Sequence, residues 1–203
     1  MSRSWTQIDW DAPRPDTRAL EVSRRALRFV PVNGQPDSAT VLLREFRSLL
    51  TNGGAELAML AIENHDRTTQ WFLSRNRFEE YGFVRCLLDS TGLSAALPQV
   101  PADALAEQDR FAESSPLTLD GEIAAQLVWG GAYGRFQGGG ARAKRLGTAF
   151  CADLILDRYD DFRVDVSDGA WSSWFQSPAW NHTWVVTDRR LRQVTLLCLT
   201  DVD

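Results

Sequence analysis

The apolar positions of this chain come in short, separable groups. Ala26 to Val32 is an apolar run closed by Asn33-Gly34-Gln35-Pro36, which predicts a strand and a turn. Asp37 or Ser38 can cap a following helix. Leu42, Phe46, Leu49 and Leu50 share one helical face, and Asn52-Gly53-Gly54 ends that helix. Leu57 to Ile62 is apolar throughout and short, as in a strand covered on both faces. After the polar loop Glu63 to Arg67, Gln70 to Arg75 reads as an antiparallel return strand centred on Trp71-Phe72-Leu73. Phe83, Val84, Leu87 and Leu88 form the stripe of a second helix, closed by Thr91-Gly92. The first half therefore predicts a β-α-β-β-α unit.

Pro98 to Pro116 changes character, with prolines at both ends, four acids between them and a weak helical pattern over Leu105 to Phe111. Beyond it, Ile123, Leu127 and Val128 have helical spacing, as do Ala143, Leu146, Phe150 and Leu154. A glycine-rich passage, residues 130–140, separates these two helices. Phe162, Val164 and Val166 alternate with Arg163 and Asp165, and Trp184 to Thr187 and Val194 to Leu199 complete a C-terminal antiparallel meander. The predicted class is α+β. The predicted organisation is an irregular arm over 1–25, an α+β lobe over 26–97, a linker-like segment over 98–117, and a helical pair with antiparallel sheet over 118–203. The two sheets either join into one domain or stay as separate lobes.

Composition narrows the function classes. The chain has 203 residues, 44% hydrophobic and 24% charged, as in an ordinary globular protein. Its net charge of −5 repels phosphate backbones, which disfavours nucleic acid as a partner. Cys86, Cys151 and Cys198 stand far apart in apolar runs, so buried thiols in a reducing, cytoplasmic compartment are expected rather than a zinc site or disulfides. The first 25 residues lack the apolar core of a secretory signal, and Trp5 and Trp10 are expected to pin this arm to the body.

Two features carry candidate chemistry. Glycines let backbone N–H groups approach an anion, so Gly138, Gly139 and Gly140, with Arg142, Lys144 and Arg145 at the helix start, form a candidate anion site. The pattern departs from a P-loop, because Gly140 stands where lysine is required. Basic residues in a first helical turn also oppose the macrodipole, which points to something anionic nearby. The bland alternative is a flexible interhelical loop.

The second feature is four tryptophans, Trp171, Trp174, Trp180 and Trp184, within fourteen residues. On an extended strand, Trp180, His182 and Trp184 share one face. At least two of the four are expected in the core. Trp171, Trp174 and Trp180, with Arg189 and Arg190, form the candidate partner-binding set, since tryptophan and arginine are favoured at interface hot spots. His65 and His182 are the only histidines, and neither sits in an HExxH, GxSxG or SxxK motif. The aspartates between Asp157 and Asp168 do not match a calcium loop.

The sequence reading is thus a non-enzymatic, intracellular protein-binding protein without a cofactor or metal. An adaptor or an inhibitor/immunity-type partner of another bacterial protein fits it, the Ala/Arg/Leu-rich composition suggesting the source. The alternative is a small-ligand or phosphate-binding protein, or a small enzyme, built on residues 130–140 and 142–145.

Overall fold

The computed structural model describes residues 8–101, 111–175 and 179–203. Helix α1 (Thr17–Ala26) leads into strand β1 (Arg28–Pro31), helix α2 (Asp37–Leu49) and strand β2 (Gly54–Glu63). Four short helices follow: α3 (Arg67–Ser74), α4 (Phe78–Tyr81), α5 (Phe83–Leu88) and α6 (Thr91–Ala96). Strand β3 (Ala112–Ser114), helices α7 (Leu119–Trp129) and α8 (Gly139–Ile155), and strands β4 (Phe162–Ser167), β5 (His182–Asp188) and β6 (Gln193–Thr200) complete the chain. The six strands form one antiparallel sheet in the order β1-β2-β6-β5-β4-β3. The fold is α+β, and its last three strands are the expected meander.

Both sheet faces are covered. Leu57, Phe162, Val164, Trp184, Val186, Leu197 and Leu199 pack with α2, α7 and α8. Leu60, Ile62, Val185, Val194, Leu196 and Cys198 pack with the short helices of the opposite layer. This explains why β2 and β6 read as continuous apolar runs: alternate residues enter different cores. Strand β2 pairs with β6 from Gly54↔Thr200 to Ala61↔Gln193, so one sheet runs through both halves of the sequence.

Four segments differ from the sequence reading. Gln70 to Arg75 is not a return strand but the body of α3 and its C-cap. Thr69, Phe72 and Leu73 bury at helical spacing, and the Asp66 carboxylate caps the helix by accepting from the Thr69 N–H at 2.8 Å. Thr91-Gly92 opens α6 rather than closing α5, because the Ser90 hydroxyl caps it at Leu93. Residues 17–26 are helical where an irregular arm is predicted. Ser23 is the one buried residue of α1, its hydroxyl bonded to Asp66, Thr69 and Tyr81, so the helix has no apolar stripe to betray it. Within the linker-like segment, β3 pairs along β4. The helix expected over Leu105 to Phe111 falls, except for Phe111, outside the described residues, as does Trp5.

Candidate functional site

The glycine-rich loop is built for close packing. A Cβ at Gly131 or Gly134 would collide with the Leu49 carbonyl oxygen at the end of α2. The loop does hold an anion, and that anion belongs to the protein. The buried carboxylate of Asp201, just past β6, accepts from the Ala132 N–H at 2.8 Å and the Asn52 N–H at 2.9 Å. One side chain thereby ties three segments together: the turn after α2, the α7–α8 loop and the end of the sheet.

The other end of the loop is different. Nothing lies within contact of a Cβ at Gly139 or Gly140, and a Cβ at Gly138 would meet the side chains of Arg142 and Phe136. Arg142 pairs with Glu45 on α2 at 2.5 Å, and Lys144 pairs with Asp120 on α7 at 2.7 Å. Arg145 is exposed. Burial works against ionisation of Asp120, but Lys144 and Thr148 together pull its carboxyl below the usual range. The acidic neighbours that basic residues at this helix start call for are thus Glu45 and Asp120. A pair of substitutions separates packing from cradle. Gly134→Ala is expected to cost about 1–3 kcal/mol by overpacking. Gly140→Ala, in open space on a helix, is expected to be neutral or to stabilise by up to about 1 kcal/mol. Chemical denaturation of both variants reads the contrast, and equal effects would contradict it.

The tryptophan cluster divides. Trp184 and Trp171 are buried at 0% and 1% exposure, one in each core. Trp171 Nε1 donates to the Thr183 hydroxyl at 2.9 Å. Trp174 and Trp180 are half-buried. Trp174 lies over Gly54, and Trp180 precedes Asn181, whose side-chain oxygen accepts from Thr200. Both therefore sit where β2 begins and β6 ends. Arg189 and Arg190 follow β5 at the opposite end of the sheet, about 30 Å away at some 3.4 Å per residue. Arg189 donates to the carbonyls of Asp160 and Asp161, and Arg190 approaches Asp161 at 3.8 Å. The structure does not bring the predicted tryptophans and arginines together.

It brings other aromatics to the tryptophan end instead. Trp129, in the last turn of α7, is 65% exposed, and Tyr133, beside the Asp201 anchor, is 67% exposed. Val128 adds a third exposed apolar side chain. Comparison with protein families, with curated proteins and with solved structures gives no match. What this end of the sheet does must therefore be argued from its own geometry.

His182 lies beside these aromatics. Its Nδ1 contacts Asp168 at 2.5 Å and Gln126 of α7 at 3.3 Å, and its ring lies 4.0 Å from the Trp184 ring, tilted by 57°. Nε2 is buried with no hydrogen-bond partner. Burial holds the imidazole pKa below the ordinary 6.5, with Asp168 opposing; that carboxylate is 77% exposed and screened by water. The folded state thus takes up its proton at lower pH than the unfolded chain. Stability contributed by this neutral ring is complete above pH 6.5 and is lost as pH falls below it. His182→Gln is expected to flatten the fall in Tm between pH 7.5 and 5.5, and an unchanged slope would contradict the assignment.

The remaining chemistry is structural. Burial pushes the Cys151 and Cys198 thiols up to about 12, which leaves them unreactive at neutral pH. Among the described residues, no three or more His, Cys, Asp or Glu side chains are grouped to hold a metal ion. No helix among them is long and apolar enough to cross a membrane.

Proposed function

We propose that this chain is a non-enzymatic protein-binding protein whose docking surface is the aromatic end of the sheet. An adaptor or an inhibitor/immunity-type partner of another bacterial protein, working in the cytoplasm, fits this reading. The observation that carries it is the exposure of Trp129 and Tyr133 on a backbone held from below. Gly131, Gly134 and the Asp201 carboxylate fix the loop that follows Trp129. Large, stiff aromatic side chains on a rigid base lose little entropy on binding, which is what interface anchors need. Trp174 and Trp180 extend the same end. The acidic net charge supports a protein rather than a nucleic acid as the partner, and the three free cysteines suit a reducing compartment.

The test uses the full chain as bait in extracts of its source cells. One protein is expected to co-purify in stoichiometric amount with the wild-type chain and with a Trp171→Phe control. It is expected to be lost with the double variant Trp129→Ala/Tyr133→Ala at unchanged Tm. Retention of the partner by that double variant would overturn the assignment of this surface.

A further inference from the structure

At the far end of the sheet from the aromatic surface, residues 8–15 lie against α3 without joining any helix or strand. Their backbone carbonyls are read by two side chains from α3 and its C-cap. The Trp71 indole N–H donates to the Ala12 carbonyl at 2.8 Å, and the Arg75 guanidinium donates to the Asp9 and Trp10 carbonyls at 3.0 and 2.8 Å. The same guanidinium lies 4.6 Å from the centre of the Trp71 ring and 5.2 Å from that of Trp10. Arg14 pairs with Glu80 of α4 at 2.7 Å.

Proline sets the shape of this segment. Pro13 and Pro15 fix their own φ and favour extended backbone at Ala12 and Arg14. A segment stiffened in this way loses little entropy on docking. Its hold on the body is nevertheless a surface one. No side chain from 8 to 16 is buried, Trp10 is 63% exposed, and the Arg14–Glu80 pair has exposures of 60% and 41%. Exposed ion pairs and cation–π contacts contribute little each, so the segment belongs to the part of the fold that opens most readily. Nor does it fill the space in front of the helix: Ala12, Pro13 and Pro15 line a cleft of about 840 Å³ together with Gln70, Trp71 and Ser74. Donors that are specific, on a contact that buries little, suit exchange with a second occupant.

The geometry points to a docking groove for a proline-flanked peptide segment of another protein, a groove that residues 8–15 occupy in cis and thereby block. The fitting segment has the chemistry of the one seated there: an aromatic residue three positions before the first proline, and an arginine between two prolines. Trp71 and Arg75 read its carbonyls, Arg75 also lies against its aromatic ring, and Glu80 takes its arginine. Capture of a stiff, proline-rich segment by an aromatic-lined groove is a recurrent mode of peptide recognition. The tether sets the scale of affinity. A segment joined by a short linker is present at roughly millimolar effective concentration, so a seated arm implies an intrinsic Kd below about 1 mM. Trp129 and Tyr133 play no part in this groove, because β2 runs from their end of the sheet to Glu63, just before α3.

Fluorescence anisotropy of a labelled peptide of residues 8–16, titrated with the full-length chain, tests this. The first variant has residues 9–15 replaced by glycine and serine, with α1 and the groove intact. It is expected to bind the peptide saturably with a midpoint below about 1 mM. Trp71→Phe/Arg75→Gln in that background is expected to weaken binding at least tenfold, and the intact arm of the wild-type chain is expected to do the same by competition. Trp10→Ser/Arg14→Glu in the otherwise wild-type chain is the second variant. It removes two of the arm's contacts, leaves every groove residue in place, and is expected to bind the peptide at least threefold more tightly than the wild-type chain. No saturable binding to the glycine–serine chain, equal binding of a scrambled peptide, affinity unchanged by Trp71→Phe/Arg75→Gln, or equal affinity in Trp10→Ser/Arg14→Glu and the wild-type chain would overturn the proposal. A concentration-dependent dimer of the wild-type chain that is lost with the glycine–serine arm would make a second copy the occupant, and would overturn the assignment to another protein.

Discussion

Arg163→Met is expected to cost about 3–5 kcal/mol of folding stability, because it strands a buried carboxylate. Arg163 and Asp165 have side-chain exposures of 7% and 4%. They face the layer of short helices from β4, the strand next to the short edge strand β3. Nε donates to both Asp165 oxygens at 2.9 and 3.0 Å, and a second guanidinium nitrogen donates at 2.6 Å. The remaining nitrogen reaches Asn76 at 3.0 Å and Glu113 at 2.8 Å, while the guanidinium carbon lies 4.8 Å from the centre of the Phe78 ring. Burial pushes the Asp165 carboxyl up, and the hydrogen bonds and charge of Arg163 oppose that push. With arginine gone, burial and the neighbouring Glu113 and Glu79 charges all push the same way, so Asp165 protonates more readily and the variant's deficit shrinks as pH falls. The double substitution Arg163→Met/Asp165→Leu is expected to recover most of the loss, since it removes the uncompensated charge. Urea denaturation of the single and double variants gives the comparison. A single variant that loses less than about 1 kcal/mol would contradict the pairing.

Asp201→Ala is the second large effect. It leaves the part-buried Asn52 and Ala132 N–H groups without their charged acceptor, at about 1–3 kcal/mol in all. The consequence extends beyond stability. Ala132 immediately precedes Tyr133, so the loop that presents the aromatic surface loses its anchor. Amide exchange is expected to accelerate across residues 130–134 in this variant while β5 stays protected. Unchanged exchange in the loop would show that its packing on Leu49 suffices.

The α+β class and the meander were legible in the sequence because core periodicity marks them. In α2, Leu42, Phe46 and Leu49 bury as their spacing requires. Elements tied down by polar contacts were not legible. Ser23 anchors α1 through hydroxyl bonds, and the three adjacent apolar residues of α3 imitate a strand. At the candidate site, the clustering of tryptophans carried information about the core more than about the surface: Trp171 and Trp184 are interior.

The exposure of Trp129 does have a signal in the sequence. Two residues beyond Leu127 is a rotation of about 200°, which turns Trp129 away from the face that buries Ile123 and Leu127. Val128, grouped with that face by spacing alone, is exposed beside it. A cleft lined by parts of residues 8–15, His65, α3 and Arg192 could not be read from sequence, because these parts meet only through the fold. The glycine loop shows the reverse situation. Its composition resembles an anion cradle, and its bound anion is a carboxylate supplied from 69 residues further along the chain.

The affinity of the co-purified partner, measured by calorimetry for two variants, tests the central claim most directly. Trp129→Ala/Tyr133→Ala is predicted to weaken binding about 30-fold or more, the loss that corresponds to a hot spot of about 2 kcal/mol. Arg189→Ala/Arg190→Ala, at the opposite end of β5, is predicted to bind within threefold of the wild-type chain. The reverse ranking, with the arginine variant impaired and the aromatic variant intact, would contradict the account.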